Sequence, residues 1–374
     1  MYMKSPREEW YSISNISQTD SPALVVYKER ILENIRLVKE MVGDVQRLRP
    51  HVKTHKMPEI CTLMLEAGIT KFKCATIAEA EMLSALQAPD VLLAYQPNGP
   101  KLMRFINLVK AYPSTRFSCL TDNIQQAVQM TTEARKNGVL LQLFIDLNVG
   151  MNRTGIRTDQ AFELASFIQT QESLELTGLH GYDGHIRDND PVVRKQKADA
   201  AYQPVEQLAE KIRQELGISP VIIMGGTPTF PLHAGRKDVE CSPGTFVFND
   251  WGYKHSLPDE PFEYAALVIT RVISIVDGHT ICTDLGHKSI APENPLENRV
   301  RFLNAPDVIF KGQSEEHLVL TVEDAGKFTI GDVLYGVPIH ICPTVALYDK
   351  AMVVEDGLVT QHWSIAARNR AINI

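Results

Sequence analysis

Between about residues 45 and 250 the chain keeps switching between two hydrophobic periods, and this switching restricts the fold more than any other feature. Short β-prone runs at residues 47–52, 71–75, 91–95, 116–120, 141–146, 174–180, 221–224 and 239–248 predict strands. Stretches of helical periodicity separate most of them, at 77–86, 101–111, 123–137, 159–170 and 192–216. The link between the last two strands is short and not clearly helical. Strands that alternate with helices form crossovers, so the sheet they build is parallel. Eight such strands over roughly 200 residues fit a (β/α)8 TIM-type barrel better than an open sheet. An earlier strand and helix, 23–27 and 28–42, would lead into that barrel.

After about residue 262 the texture changes. Residues 265–276, 279–283, 317–322, 333–337 and 351–355 read as strands with almost no helix between them. Asp277-Gly278 and Asp356-Gly357 are hairpin turns by composition. An α/β chain with a C-terminal antiparallel β-domain follows: a barrel over 21–261 and a β-domain over 262–374. The β-prone Trp10, Tyr11 and Ile13 let residues 1–20 add a strand to the second.

Composition removes several functional classes. With 374 residues, 44% hydrophobic and 22% charged, the chain suits a globular protein. A net charge of −7 with scattered Lys and Arg argues against a nucleic-acid partner. No apolar run approaches membrane-spanning length, and the N-terminus has no signal-peptide core. Cysteines at 61, 74, 119, 241, 282 and 342 form no C-x-x-C pair, which fits reduced thiols and a cytoplasmic location.

The densest polar cluster, Arg49-Pro50-His51-Val52-Lys53-Thr54-His55-Lys56, ends the first barrel strand. Barrel active sites lie at the C-terminal ends of strands, and a desolvated lysine there can form a Schiff base with an aldehyde cofactor. The plainer reading is a basic loop edge. Gly225-Gly226-Thr227 follows the seventh strand, and Ser242-Pro243-Gly244-Thr245 lies within the eighth. Turns after these two strands often hold a phosphate, although most Gly-rich turns only reverse the chain. The sixth strand ends in His180-Gly181-Tyr182-Asp183-Gly184-His185-Ile186-Arg187-Asp188, which supplies acid-base groups. Residues 146–155 similarly follow the fifth. In the β-domain, His340 and Cys342 at i, i+2 on a strand would share a face, and imidazole with thiolate suits a divalent metal such as zinc. A packed His and Cys would look the same.

Together these segments resemble the D-threonine aldolase and D-serine dehydratase family, among the alanine-racemase-like, fold-type III pyridoxal-phosphate enzymes. The matching pieces are RPHVKTHK (49–56), HGYDGHIRD (180–188), GGTPTFP (225–231), CSPGTFVF (241–248), DLGHKSI (284–290) and PIHICPTVALYD (338–349), in the family's order. The resemblance implies that Lys53, not Lys56, carries pyridoxal 5'-phosphate, with Tyr182, Gly226, Thr227, Gly244 and Thr245 around it. It implies a catalytic divalent metal (Zn, Mn or Mg) on His340 and Cys342, and an acid-base role for His185. It implies a homodimer whose active site borrows the partner's β-domain. Two departures stand out. Alanine racemases place an arginine against the pyridine nitrogen where this chain has Ser242, so the ring nitrogen is expected to be unprotonated. Family aldolases tend to carry His-x-Asp at the metal pair and dehydratases His-x-Cys, and this chain has Cys342.

The expected substrate is a small D-3-hydroxy amino acid. In retro-aldol cleavage to glycine and an aldehyde, His185 takes the β-hydroxyl proton. In dehydration, Lys53 takes the α-proton. The metal serves either as a Lewis acid. Aldol cleavage is the favoured reading and dehydration the runner-up. A racemase, or a pyridoxal-phosphate carrier without catalysis, fits less well because the metal pair would then lack a purpose.

Overall fold

A computed structural model describes residues 9–374, and the chain divides into two compact units. In chain order the strands are β1 (Ala23–Tyr27), β2 (Lys71–Cys74), β3 (Asp90–Leu93), β4 (Arg116–Thr121), β5 (Leu141–Leu147), β6 (Leu174–Gly181), β7 (Val221–Met224) and β8 (Val239–Cys241). There follow β9 (Ala266–Asp277), β10 (Thr280–Thr283), β11 (Val300–Phe302), β12 (Ile309–Gln313), β13 (Leu318–Thr321), β14 (Val333–Pro338), β15 (Lys350–Glu355) and β16 (Leu358–Ser364).

The larger unit holds the parallel sheet β2-β3-β4-β5-β6-β7-β8, curled with helices outside. Each helix expected between these strands is present, as Ile77–Ala85, Pro100–Ala111, Ile124–Asn137, Ala161–Gln169 and Pro191–Leu216. Side chains fix three of the starts: Thr76 accepts from the Glu79 N–H, Asn123 from the Gln126 N–H and Asp190 from the Val192 N–H. The expected strand over 47–52 is not regular. Pro50 has no N–H to donate, and 3-10 turns flank it at Val45–Arg47 and Val52–Thr54. The segment nevertheless occupies the eighth place. Single parallel bridges join Leu48 to Cys241 and His51 to Lys73, so the barrel closes between β8 and β2 through it. The eighth strand is also shorter than expected, ending at Cys241 because Pro243 and Gly244 turn the chain into a 3-10 turn at Thr245–Val247. The link before it does contain a short helix, Phe230–Ala234.

The second unit is a mixed sheet rather than a wholly antiparallel one. Its order is β12-β13-β10-β9-β1-β15-β16, with β14 paired to β9 and β11. The expectation that residues 23–27 lead into the barrel is therefore corrected. β1 lies inside this sheet, antiparallel to β9 and parallel to β15. Its Val25 and Tyr27 pack with Leu267, Ile269, Tyr335, Val337 and Val354, a core that the barrel does not offer. Residues 247–255, expected in the barrel, group with the sheet unit, and residues 366–374, expected in the β-domain, group with the barrel. β11, β12 and β16 carry too weak an alternation to be read beforehand. The turn at Asp356-Gly357, with φ of 49° and 73°, is the left-handed two-residue connection its composition predicts between β15 and β16. Residues 9–20 form no strand, but Ile13 joins the same core cluster; the rest of the expected 1–20 segment lies outside the described residues. All six cysteines are free thiols. No described helix is long and apolar enough to cross a membrane.

Candidate active site

The lower interior of the barrel is ionic and balanced. Arg49, 2% exposed on the closing segment, donates Nε to Glu240 at 2.8 Å and pairs with Asp90. Lys71 takes the other Glu240 oxygen. Two cations thus meet two carboxylates, which is how buried charge is tolerated.

The next layer is not balanced. Lys73 follows Lys71 by two residues, so it faces the same interior one step nearer the C-terminal end of β2. It is 3% exposed. Its Nζ lies 5.7 Å from the centre of the Tyr182 ring, the Lys53 Nζ lies 5.9 Å from that centre, and the Arg153 guanidinium 5.0 Å. Among the described residues none of these three cations is ion-paired. The nearby carboxylates are engaged elsewhere. Asp146 accepts from His180 Nδ1 at 2.7 Å, Thr154 Oγ1 at 2.8 Å and Gln96 Nε2 at 2.9 Å. Asp183, fully buried, accepts from Thr229 Oγ1 at 2.7 Å and His233 Nε2 at 2.8 Å. Burial alone would raise Asp146, but its bonds from His180, Thr154 and Gln96 hold it below the usual carboxylate range.

The same surroundings shift other groups toward their neutral forms. Burial, then the Lys53 charge, brings Lys73 down to about 7 against the pull of Asp146 and Asp183. Burial and Lys73 lower His180 despite its bond to Asp146. A carboxylate partner makes Nδ1 the protonated nitrogen, and His180 Nε2 is left buried without a partner. Burial, Lys53 and Lys73 push His51 well down.

The expected phosphate residues are brought together on β7 and β8. Gly225 has φ +80°, and a Cβ there would meet the His233 ring at 2.8 Å. A Cβ on Gly226 would meet Tyr182 at 2.9 Å, and one on Gly244 the His51 carbonyl at 2.8 Å. Both glycines are therefore required by close approach. The N–H groups of Gly244 and Thr245 converge on Thr227 Oγ1 at 3.3 and 3.2 Å, a nest an anion can enter. Ser242, 4% exposed, has a buried hydroxyl without a partner. A glycine-walled anion nest, unpaired cations and the orphaned Ser242 and His180 atoms together fit a phosphorylated pyridine aldehyde on Lys53. His185 is exposed, with its ring over Gly150, where a Cβ would come within 2.6 Å. A cavity of about 30 Å³ borders Asp146, Arg153, His180 and Tyr182, whereas a cavity of about 800 Å³ is an open groove at Thr19, Arg271 and Ile330 of the other unit and contains none of these groups.

In that other unit the strand argument for His340 and Cys342 fails. β14 ends at Pro338, and His340 is the N-cap of a short helix, Ile341–Val345. The first helical turn, not a shared strand face, brings the two together. Burial would lower His340, but its hydrogen bond with Cys342 and the charges of Cys342 and Asp250, helped by Glu293, raise it to about 9. Glu293 Oε1 lies 2.7 Å from His340 Nδ1, and Asp250 Oδ2 accepts the Ile341 N–H at 3.1 Å. Among the described residues no three His, Cys, Asp or Glu side chains form a closed metal cluster. A soft thiolate and an imidazole whose second nitrogen faces a carboxylate do fit an open, two-donor metal site.

Several site residues escaped the sequence reading. Lys73 sits mid-strand, where a lysine suggests an exposed edge. Arg153 and the Asp146–His180 pair lie in segments read as sources of acid-base groups, with no role given to these residues themselves, and Glu293 carries no local signal.

The sequence matches the alanine racemase N-terminal domain family over residues 26–250 and the serine dehydratase domain over 265–354. It is 27% identical to a D-threonine aldolase of an Arthrobacter species, covering 94% of both chains. It is 25% identical to a D-threo-3-hydroxyaspartate dehydratase of a Delftia species, covering 92% of this chain and 96% of that one. The crystal structure of D-threonine aldolase from Filomicrobium marinum superposes with a TM-score of 0.86 at 26% identity, over 96% of this chain and 98% of the other.

Proposed function

The chain belongs to the alanine racemase N-terminal domain family, and from that membership we propose that it is a pyridoxal-phosphate-dependent lyase of D-3-hydroxy amino acids, of the D-threonine aldolase type. The observation that carries this reading is Lys53 beside Tyr182, with unpaired cations on one side and the Gly226–Thr227 and Gly244–Thr245 nest on the other. Similarity along nearly the whole chain to a D-threonine aldolase supports it.

Pyridoxal phosphate, when bound, draws electrons out of the bonds at the substrate's α-carbon. The chain's own groups do the rest. Lys53 holds the aldehyde end. Gly226, Thr227, Gly244 and Thr245 bind the phosphate through N–H and hydroxyl groups. Tyr182 lies against the nest and keeps water from that side. Arg153, unpaired and exposed, is placed to receive the substrate carboxylate. His185 holds and moves the proton of the β-hydroxyl. His340 and Cys342 would hold a divalent metal, which supplies Lewis acidity toward that hydroxyl. The protein acts as a homodimer in the cytoplasm, each site taking the metal pair from the partner.

Cys342 favours a second reading. Dehydratases of the resembled family tend to carry cysteine there, and the similarity to the D-threo-3-hydroxyaspartate dehydratase is of the same order. Lys53 would then move the α-proton and the β-hydroxyl would leave.

Borohydride reduction of the holoenzyme should fix a pyridoxyl group on the peptide carrying Lys53; a label on Lys56, or none, overturns the assignment. Incubation with D-threonine and D-serine separates the two reactions, glycine and an aldehyde marking the aldolase and keto acid with ammonia the dehydratase.

A further inference from the structure

We propose that Lys73 is a positioning residue of the active site, whose amine meets the anionic ring oxygen of pyridoxal phosphate and sets the protonation state of the cofactor carried by Lys53. The inference rests on the reading of Lys53 as the cofactor lysine.

Topology supplies the first argument. The phosphate nest lies on β7 and β8, the segment leading to Lys53 bridges β8 on one side, and on its other side His51 bridges Lys73 itself on β2. Around the pyridoxal ring the substituents run in a fixed order: phosphate arm, aldehyde carbon, ring oxygen. With the phosphate toward β7 and β8 and the aldehyde on Lys53, the oxygen points toward β2. The side chain that β2 offers there is Lys73.

Charge supplies the second. Lys73 faces Arg49, His51 and Lys53 on the closing segment and its turn, Asp146 on β5, and His180, Tyr182 and Asp183 at the end of β6. The carboxylates among these already accept from other side chains. A buried amine with no ion pair is costly for the fold, so folding alone does not account for it. Burial and Lys53 bring it down to about 7, and a neighbouring anion would restore its charge.

The test is a spectrophotometric pH titration of the holoenzyme as wild type, Lys73→Met, Lys73→Gln and Lys73→Arg. A cation at the ring oxygen disfavours a second positive charge on the adjoining nitrogen. Its removal in Lys73→Met and Lys73→Gln should move the midpoint of the visible absorbance change upward by roughly one unit or more. Cofactor dissociation should increase about tenfold, and Lys73→Arg should restore the midpoint. If Lys73→Met loses the cofactor outright, the Gln and Arg variants carry the same comparison. An unmoved midpoint with a raised KM assigns Lys73 to the substrate carboxylate, and an unmoved midpoint with a lowered melting temperature makes it structural; either overturns the inference. Borohydride labelling separates the two levels. A label on Lys53 with an unmoved midpoint defeats only the role of Lys73, whereas no label on Lys53 in the wild type defeats the reading beneath it.

Discussion

His340 has two side-chain partners. Nδ1 faces Glu293 at 2.7 Å, and the ring also bonds Cys342 two residues on. A carboxylate behind a metal-bound imidazole fixes its tautomer and raises its basicity, and losing one typically costs 10- to 100-fold in metal affinity or activity. Glu293→Gln keeps the shape and removes the charge, so metal affinity measured against a competing chelator should fall by roughly that factor. The cofactor absorbance should not change. An unaltered affinity would remove Glu293 from the metal site. At this scale the sequence identified the pair by spacing but supplied the wrong geometry, because Pro338 and Pro343 end the strand and open a helix. Glu293, 47 positions away, is joined to the pair only by the fold. Lys53 stands out in the sequence because it lies among polar residues at the end of an expected strand. Lys73 does not, since a parallel barrel buries both faces of a strand and leaves no alternation to mark an interior lysine.

Among the elements, the turn after β7 depends most on a single side chain. Asp183 receives Thr229 Oγ1 and His233 Nε2, and the His233 ring fills the space beside Gly225. Asp183→Ala leaves two buried donors unpaired, at about 1–3 kcal/mol each. The melting temperature should drop by several degrees, and the cofactor should bind more weakly because the Gly225–Gly226 turn loses its support. Asp183→Asn should recover part of both. A melting temperature that does not move would mean the network is dispensable. The helices around the barrel were readable from caps and periodicity. The strand at 23–27 was correctly placed in sequence and wrongly placed in space, because a five-residue apolar run does not encode which sheet it joins. Residues 47–52 misled for the opposite reason: Pro50 breaks the ladder while tertiary bridges keep the position.

For the whole molecule, the two units interleave along the sequence, since β1 belongs with strands more than 200 residues later. A cut at 261 would leave the β sheet without a central strand. The proposed dimer has a direct test. If each site joins Lys53 of one subunit to His340 of the other, mixing inactive Lys53→Ala and His340→Ala proteins under exchange conditions regenerates one intact site per mixed dimer. Activity should rise to about a quarter of wild type at equal proportions. No recovery, in mixtures shown by mass to contain mixed dimers, would place the pair within one subunit.

The barrel closes through residues 48–51, whose Arg49 and His51 N–H groups donate to Cys241 and Pro243 and whose Pro50 carbonyl accepts from Lys73, while strands such as β5, β6 and β7 are joined by longer ladders. A ring stitched at a single seam opens there first. The cofactor would touch both edges, through the nest on β7 and β8 and through Lys53 and Lys73, and would act as a suture. Backbone amides of residues 48–54 should therefore exchange with solvent sooner than those of β5 and β6 in the cofactor-stripped protein, and slow when pyridoxal phosphate is restored. Exchange unaffected by the cofactor would mean the seam is already firm. If it does respond, the wall of the barrel is complete only when the catalyst is loaded, and an empty chain exposes its weakest stretch to any protease it meets.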